Sequence, residues 1–276
     1  MSRWTLLLLA ACSNASPAHP DAPFLPVDAP AGSGADAPVD AAAVVETPIN
    51  YTNGTYTNSF DRLPTVAMSS SMVSQTLTGK GPLPFSDLTG TTAATGMDGW
   101  EMANPTGTGS NTEFRVQDGS LAGSTGRGVI SFGTDGQTER ALGTLPTGNQ
   151  VGRFGLLLKN TTSSTLTSLT IAFTGEQWRR GDVTMPDKLT FEYGVATSLD
   201  ADGLTADTDL DFTAPVSAGS NAPLDGNTSA NHRSYSKTIT GVQWAAGSVL
   251  VLRWTTTTQS GKDDGLAIDD FSFSAH

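Results

Sequence analysis

From Ile49 onward the chain consists of short runs of β-branched and aromatic residues alternating with Thr, Ser, Gly and Asn, and no stretch shows a helical period. Turn signals recur roughly every ten residues, so the region reads as antiparallel β layers. Leu169, Ile171 and Phe173 alternate with polar residues, as do Leu189, Phe191, Tyr193 and Val195, which suits sheets with one wet side. Val249 to Leu252 is apolar on both faces and reads as a central strand. The clearest expected strands are Thr112 to Gln117, Gly128 to Gly133, Glu139 to Leu145, Val151 to Lys159 and Leu166 to Thr174. Lys188 to Ala196, Tyr235 to Thr240, Ser248 to Thr256 and Leu266 to Ser274 complete them. The expected fold is all-β, a two-sheet antiparallel jelly-roll-like sandwich.

The last strand breaks its own period. Leu266 and Ile268 alternate, and so do Phe271 and Phe273, but the step from Ile268 to Phe271 is three residues. One extra residue at Asp269-Asp270, a β-bulge, returns all four to one apolar face. At the other end of the region, Asn53-Gly54 between Ile49 and Tyr56 reads as a hairpin turn. Phe60 to Met68 reads as a strand and Ser69 to Asn111 mostly as loop. So long a loop is unusual in a compact domain, which requires part of it to pack, around Gly99 to Met102.

The first 48 residues have a different texture. Arg3 followed by the apolar run Trp4 to Ala11 reads as an export signal. Leu9-Ala-Ala-Cys12 resembles the lipobox of bacterial lipoproteins, in which the cysteine is acylated and becomes the new N-terminus. Ser13 after it resembles lipoproteins passed on to the outer membrane. The alternative is a plain secretory signal cut near Ala15. Residues 12–48 are rich in Ala, Pro and Asp, bury too little to offset their ordering entropy, and read as a disordered tether. The organisation expected is thus a signal over 1–11, an acylated tether over 12–48 and a sandwich over 49–276. Cys12 is the only cysteine, so no intrachain disulfide is possible. The expected address is exported and lipid-anchored, at the outer membrane or cell surface, with the membrane met through acyl chains.

A series of motifs resembles an uncharacterised sandwich domain of secreted and surface bacterial proteins. They include Glu139-Arg-Ala-Leu-Gly143, Thr174-Gly-Glu-Gln-Trp-Arg179, Asp187-Lys-Leu-Thr-Phe191, Leu224-Asp-Gly-Asn227, Arg253-Trp254 and Asp263-Asp-Gly-Leu-Ala-Ile-Asp-Asp-Phe271. The likeness spans about Phe60 to Ser274. That domain recurs in surface proteins and beside extracellular nuclease or phosphatase modules, and the resemblance brings no reaction with it. Ile268-Asp-Asp-Phe271 also resembles the last strand of MAM adhesion domains and of carbohydrate-binding jelly rolls.

Charge and residue supply narrow the chemistry. With 27 acidic against 15 basic residues, the net charge of -12 repels phosphate backbones and argues against nucleic acid. Beyond the tether the histidines are His232 and the terminal His276, which gives little support to the positioned imidazole of a Ser-His-Asp triad and too few ligands for a zinc site. The oxygens suit calcium better, with Asp263, Asp264, Asp269 and Asp270 as candidate ligands, helped by Asp225-Gly-Asn227. Asp200-Ala-Asp-Gly203 begins like a calcium loop but lacks the closing glutamate. The competing reading has Asp269 or Asp270 capping amides freed by the bulge, with the others solvated. Glu176, Trp178 and Arg179 fall on the polar phase of their strand, where they read as a sugar-binding platform, or as residues covered by the next loop. Arg140 and Arg253 read as partners of buried acids. The reading is a lipid-anchored surface module, not an enzyme, binding carbohydrate or a surface protein, with calcium as the one cofactor considered. Its rivals are a glycan hydrolase using paired carboxylates and a purely structural envelope protein. A cleft holding two acids with raised pKa marks the hydrolase, and a flat aromatic face the binder.

Overall fold

The computed structural model describes residues 48–65, 73–182 and 185–276. The export signal, Cys12 and all of the tether but Pro48 lie outside the described residues. The first strands are β1 (Ile49–Tyr51), β2 (Thr55–Asn58), β3 (Val73–Leu77), β4 (Leu83–Pro84) and β5 (Trp100–Ala103). Next come β6 (Thr112–Gln117), β7 (Gly128–Phe132), β8 (Ala141–Leu145), β9 (Arg153–Asn160), β10 (Leu166–Arg180) and β11 (Lys188–Val195). The last are β12 (Thr205–Ala206), β13 (Phe212–Thr213), β14 (Ala222–Pro223), β15 (His232–Trp244), β16 (Val249–Thr256) and β17 (Gly265–Ala275).

One sheet has the order β12-β11-β16-β9-β5-β4, with β1 beside β9 and β13 beside β11. The other has the order β14-β10-β17-β8-β7-β6-β3, with β15 beside β10 and β2 beside β17. From β8 onward the chain passes back and forth between the two, the winding of a jelly-roll-like sandwich. Both sheets are mixed, because β1 on β9 and β6 on β7 run parallel. Alternation has the same period in either direction, so it carries no information on pairing sense.

Aromatic side chains fill the space between the sheets. The Trp254 ring on β16 lies 6.2 Å from Trp100, 5.9 Å from Phe154 and 5.0 Å from Phe191, all of its own sheet. From the opposite sheet it meets Phe173 at 5.6 Å and Phe271 at 5.7 Å, both edge to face. Rings of this size dominate the apolar area withdrawn from water, about 150–250 Å² each.

Two expectations near the start of the domain are overturned. Asn53 and Gly54 do take positive φ, 88° and 103°, as a turn there requires. Yet β1 joins β9 in one sheet while β2 joins β17 in the other, so the turn is a corner between sheets and not a hairpin. The Tyr51 hydroxyl fixes this corner: it donates to the Gly54 carbonyl at 2.8 Å and accepts from the Ala275 amide at 2.8 Å. Phe60 is not in a strand. It has left-handed backbone (φ 56°) ahead of a turn and packs its ring 5.0 Å from Trp100; part of the Phe60 to Met68 stretch lies outside the described residues. In the long loop, Trp100 to Ala103 is buried as β5, and β3 and β4 pack as well.

The irregularity of β17 is as its period requires. Asp269 pairs with Thr174 and Ser272 with Ala172 on β10, so β17 carries one extra residue there. Leu266, Ile268, Phe271 and Phe273 all enter the inter-sheet core. Asp270 takes left-handed backbone, φ 49°, and is exposed, while Asp269 is buried. On its other side β17 pairs with β8 up to Ile268 and with β2 from Phe271, so the bulge falls where its neighbour changes.

Candidate functional site

The pairing of β10 with β17 brings acids together. Thr174 sits opposite Asp269, and Glu176, two residues on, rises on the same face diagonal to it. Glu139 arrives just ahead of β8, from the other flank of β17. Carboxylate oxygens of Glu139, Glu176 and Asp269 lie within 4.8 Å of one another. Asp269 is 7% exposed and Glu176 3%, whereas Glu139 is half-buried.

Burial without a counter-charge sets the electrostatics. Desolvation pushes the Glu176 carboxyl up to about 7, against a hydrogen bond that the Trp178 Nε1 donates to its Oε2 at 2.8 Å, with Glu139 and Asp270 adding repulsion. Desolvation likewise pushes Asp269 up to about 9; the Asp270 amide opposes this, and the charges of Glu176, Asp270 and Glu139 add to it. Asp269 Oδ1 is buried with no hydrogen-bond partner. The side chain of Asn227 donates to Glu139.

Above the acids the surface is concave. A cavity of about 260 Å³ is lined by Glu139, Glu176, Asp269 and Asp270 together with Thr174, Asn227 and His232. Ser59, Asp61 and Asp270 form the wall it shares with a larger cavity of about 490 Å³. That larger cleft is lined by Tyr56, Asn58, Arg62 and Asp98 among others. The half-buried Tyr56 ring is its more exposed aromatic, beside the buried Phe271, with the hydroxyl accepting from Trp100 Nε1 at 2.9 Å. The cleft opens where β17 leaves β8 for β2.

The other candidate residues are placed elsewhere. Trp178 is 1% exposed and stacked 6.1 Å from Phe132, so no exposed platform forms. Its phase on the outer face was legible, but the turn after β14 covers that face: a Cβ on Gly226 would lie 2.4 Å from the indole nitrogen. Arg179 is buried, donating to the Gly119 carbonyl at 2.6 Å and to the Asn221 side chain. Asp263 and Asp264 do not join Asp269 and Asp270, because five residues of extended strand separate Asp264 from Asp269 by about 16 Å. Asp264 instead accepts from Gly181 at 2.7 Å and Asp187 at 3.2 Å, and Asp263 from Gln259 at 2.9 Å, all backbone amides. Asp200 pairs with Arg153 at 2.7 Å. Arg253 pairs with Glu192 at 2.8 Å, an acid that is half-buried rather than buried. Arg140 donates to Ser131 Oγ at 2.9 Å and to the Ser131 carbonyl. Glu139 is the residue whose part the sequence conceals, since only the pairing of β8 with β17 brings it to Asp269.

Fold and site together define an all-β sandwich domain with an acidic cleft at the bulge of its terminal strand. No family model matches the chain, and no curated protein matches it. Among solved structures it is similar to the K3 cleaved adhesin domain of Lys-gingipain from Porphyromonas gingivalis, at 14% identity and TM-score 0.36, covering 64% of this chain and 91% of that one. The K2 cleaved adhesin domain of Lys-gingipain is similar at 16% identity and TM-score 0.35, over 73% of this chain and 97% of that one. TmCBM61 in complex with β-1,4-galactotriose gives 12% identity and TM-score 0.28, over 64% and 88% of the two chains. Such scores assign neither ligand nor role to this chain.

Proposed function

We propose that this protein is a lipid-anchored, surface-displayed binding module whose cleft holds a neutral carbohydrate. The observation that carries the reading is the cleft of about 490 Å³ beside the bulge, a size within the ordinary range for ligand sites. Its lining joins the Tyr56 ring to hydrogen-bonding groups of Asn58, Asp61, Arg62 and Asp98. A sugar presents hydroxyls and an apolar C–H face, which match polar side chains around one aromatic ring. Three aspartates, Asp61, Asp98 and Asp270, against Arg62 disfavour an anionic ligand. Acylation at Cys12 would anchor the chain, and residues 13–48 would hold the sandwich away from the membrane.

Glycan hydrolysis is the second reading, favoured by Glu176 being held at about 7 beside Asp269 in an acidic cleft. Burial weighs against it, because Glu176 and Asp269 are 3% and 7% exposed and leave a sugar ring little room to reach between them. Incubating the detergent-solubilised full-length protein with a panel of immobilised neutral glycans tests both. Saturable retention without release of reducing ends supports the module, release supports the hydrolase, and neither supports a purely structural envelope protein.

A further inference from the structure

Three carboxylates share a pocket in which, among the described residues, His232 is the one basic lining residue. The ion pairs formed among the described residues include none of Glu139, Glu176 and Asp269. Asp269 is more than nine-tenths buried, lines the pocket, and has an oxygen that no donor reaches. Leaving an ionised carboxylate in that condition costs several kcal/mol, so the site holds either protons or a cation.

The geometry favours the cation. Oxygen ligands at 2.3–2.6 Å from one calcium ion lie at most about 5 Å apart, and the three carboxylates fall within 4.8 Å of one another. Each acid keeps an oxygen for it: Trp178 engages only Oε2 of Glu176, Asn227 only Oε2 of Glu139, and Oδ1 of Asp269 has no partner. The opening into the pocket provides entry and room for water ligands, with Asp270 at the rim. We propose that Glu139, Glu176 and Asp269 bind a hard divalent cation of the calcium type. All-oxygen ligation selects calcium, manganese or magnesium over zinc, and the loose spacing suits calcium over magnesium. The cation would tie β10, β17 and the entry to β8 together beneath the wall shared with the larger cleft. This site does not rest on the carbohydrate reading, and a domain that binds no sugar would still bind the ion.

The test is thermal melting and isothermal titration of the full-length protein, freed of metal with chelator and then titrated with calcium. The expected result is saturable binding heat and a melting temperature that rises with calcium concentration. Asp269→Asn and Glu176→Gln should weaken calcium affinity by at least roughly tenfold and lose the rise in melting, whereas Asp263→Asn, outside the cluster, should keep both. In chelator the Asp269→Asn protein should melt no lower than the natural chain, since it sheds an unpaired charge. Equal melting of the natural chain in calcium and in chelator, without binding heat, overturns the proposal whatever the variants do. So does a full calcium response in both Asp269→Asn and Glu176→Gln.

Discussion

Asp187 is fully shielded from water, and its carboxylate accepts the Asp264 amide at 2.7 Å. Desolvation pushes it up to about 7; the amide works against this, and the charges of Asp263 and Asp264 add to it. The folded state therefore holds a proton that the unfolded chain releases above about pH 4. Stability from that proton is fully present below about pH 4 and is lost as pH rises through about 7. Asp187→Asn keeps an acceptor for the Asp264 amide and removes the charge. Urea unfolding at about pH 5 and about pH 8 should show that the variant loses less stability between them than the natural chain, by on the order of 2 kcal/mol. Parallel profiles would contradict the assignment. What was legible at this scale was the irregularity and the phase: Asp269 and Asp270 were placed at a bulge, and Glu176, with Trp178 and Arg179, on the polar phase of its strand. Their surroundings were not, because burial of Trp178 and Arg179 depends on a turn some fifty residues further along the chain.

At the scale of elements, β17 was readable and β1–β2 was not, and the contrast has a physical cause. The bulge leaves its trace within the strand, as a three-residue step between apolar side chains. Asn53-Gly54 fixes only the local backbone and is silent about which sheet each arm enters. That choice is made by Tyr51, whose hydroxyl meets Ala275 at the far end of the chain. Tyr51→Phe leaves the buried Ala275 amide without this acceptor and should lower the unfolding free energy by about 1–3 kcal/mol, read by urea denaturation. No change would mean that the corner is held by packing alone. β10 was read too short because the alternation ends at Thr174; from Gly175 to Arg179 both faces are buried and the period vanishes.

For the whole molecule, the sandwich architecture followed from alternation and turn spacing, whereas the parallel pairs and the placing of Glu139 arise from pairing between distant segments. The proposed anchoring rests on Leu9-Ala-Ala-Cys12 behind the apolar run. If Cys12 is acylated as proposed, Cys12→Ser should move the protein from the membrane fraction to the soluble fraction, since the acyl chains would supply the attachment. Unchanged membrane association, or cleavage near Ala15 found by N-terminal sequencing, would contradict lipidation. The cleft reading meets its most direct test in isothermal titration of the full-length protein with the tightest neutral oligosaccharide found on the panel. Asp98 and Lys159 are both exposed, but only Asp98 lines the cleft. The account predicts that Asp98→Ala, melting as the natural chain does, binds that sugar at least roughly tenfold more weakly, an interaction worth about 1.4 kcal/mol or more, while Lys159→Ala binds it unchanged. Equal affinity for all three proteins would contradict it.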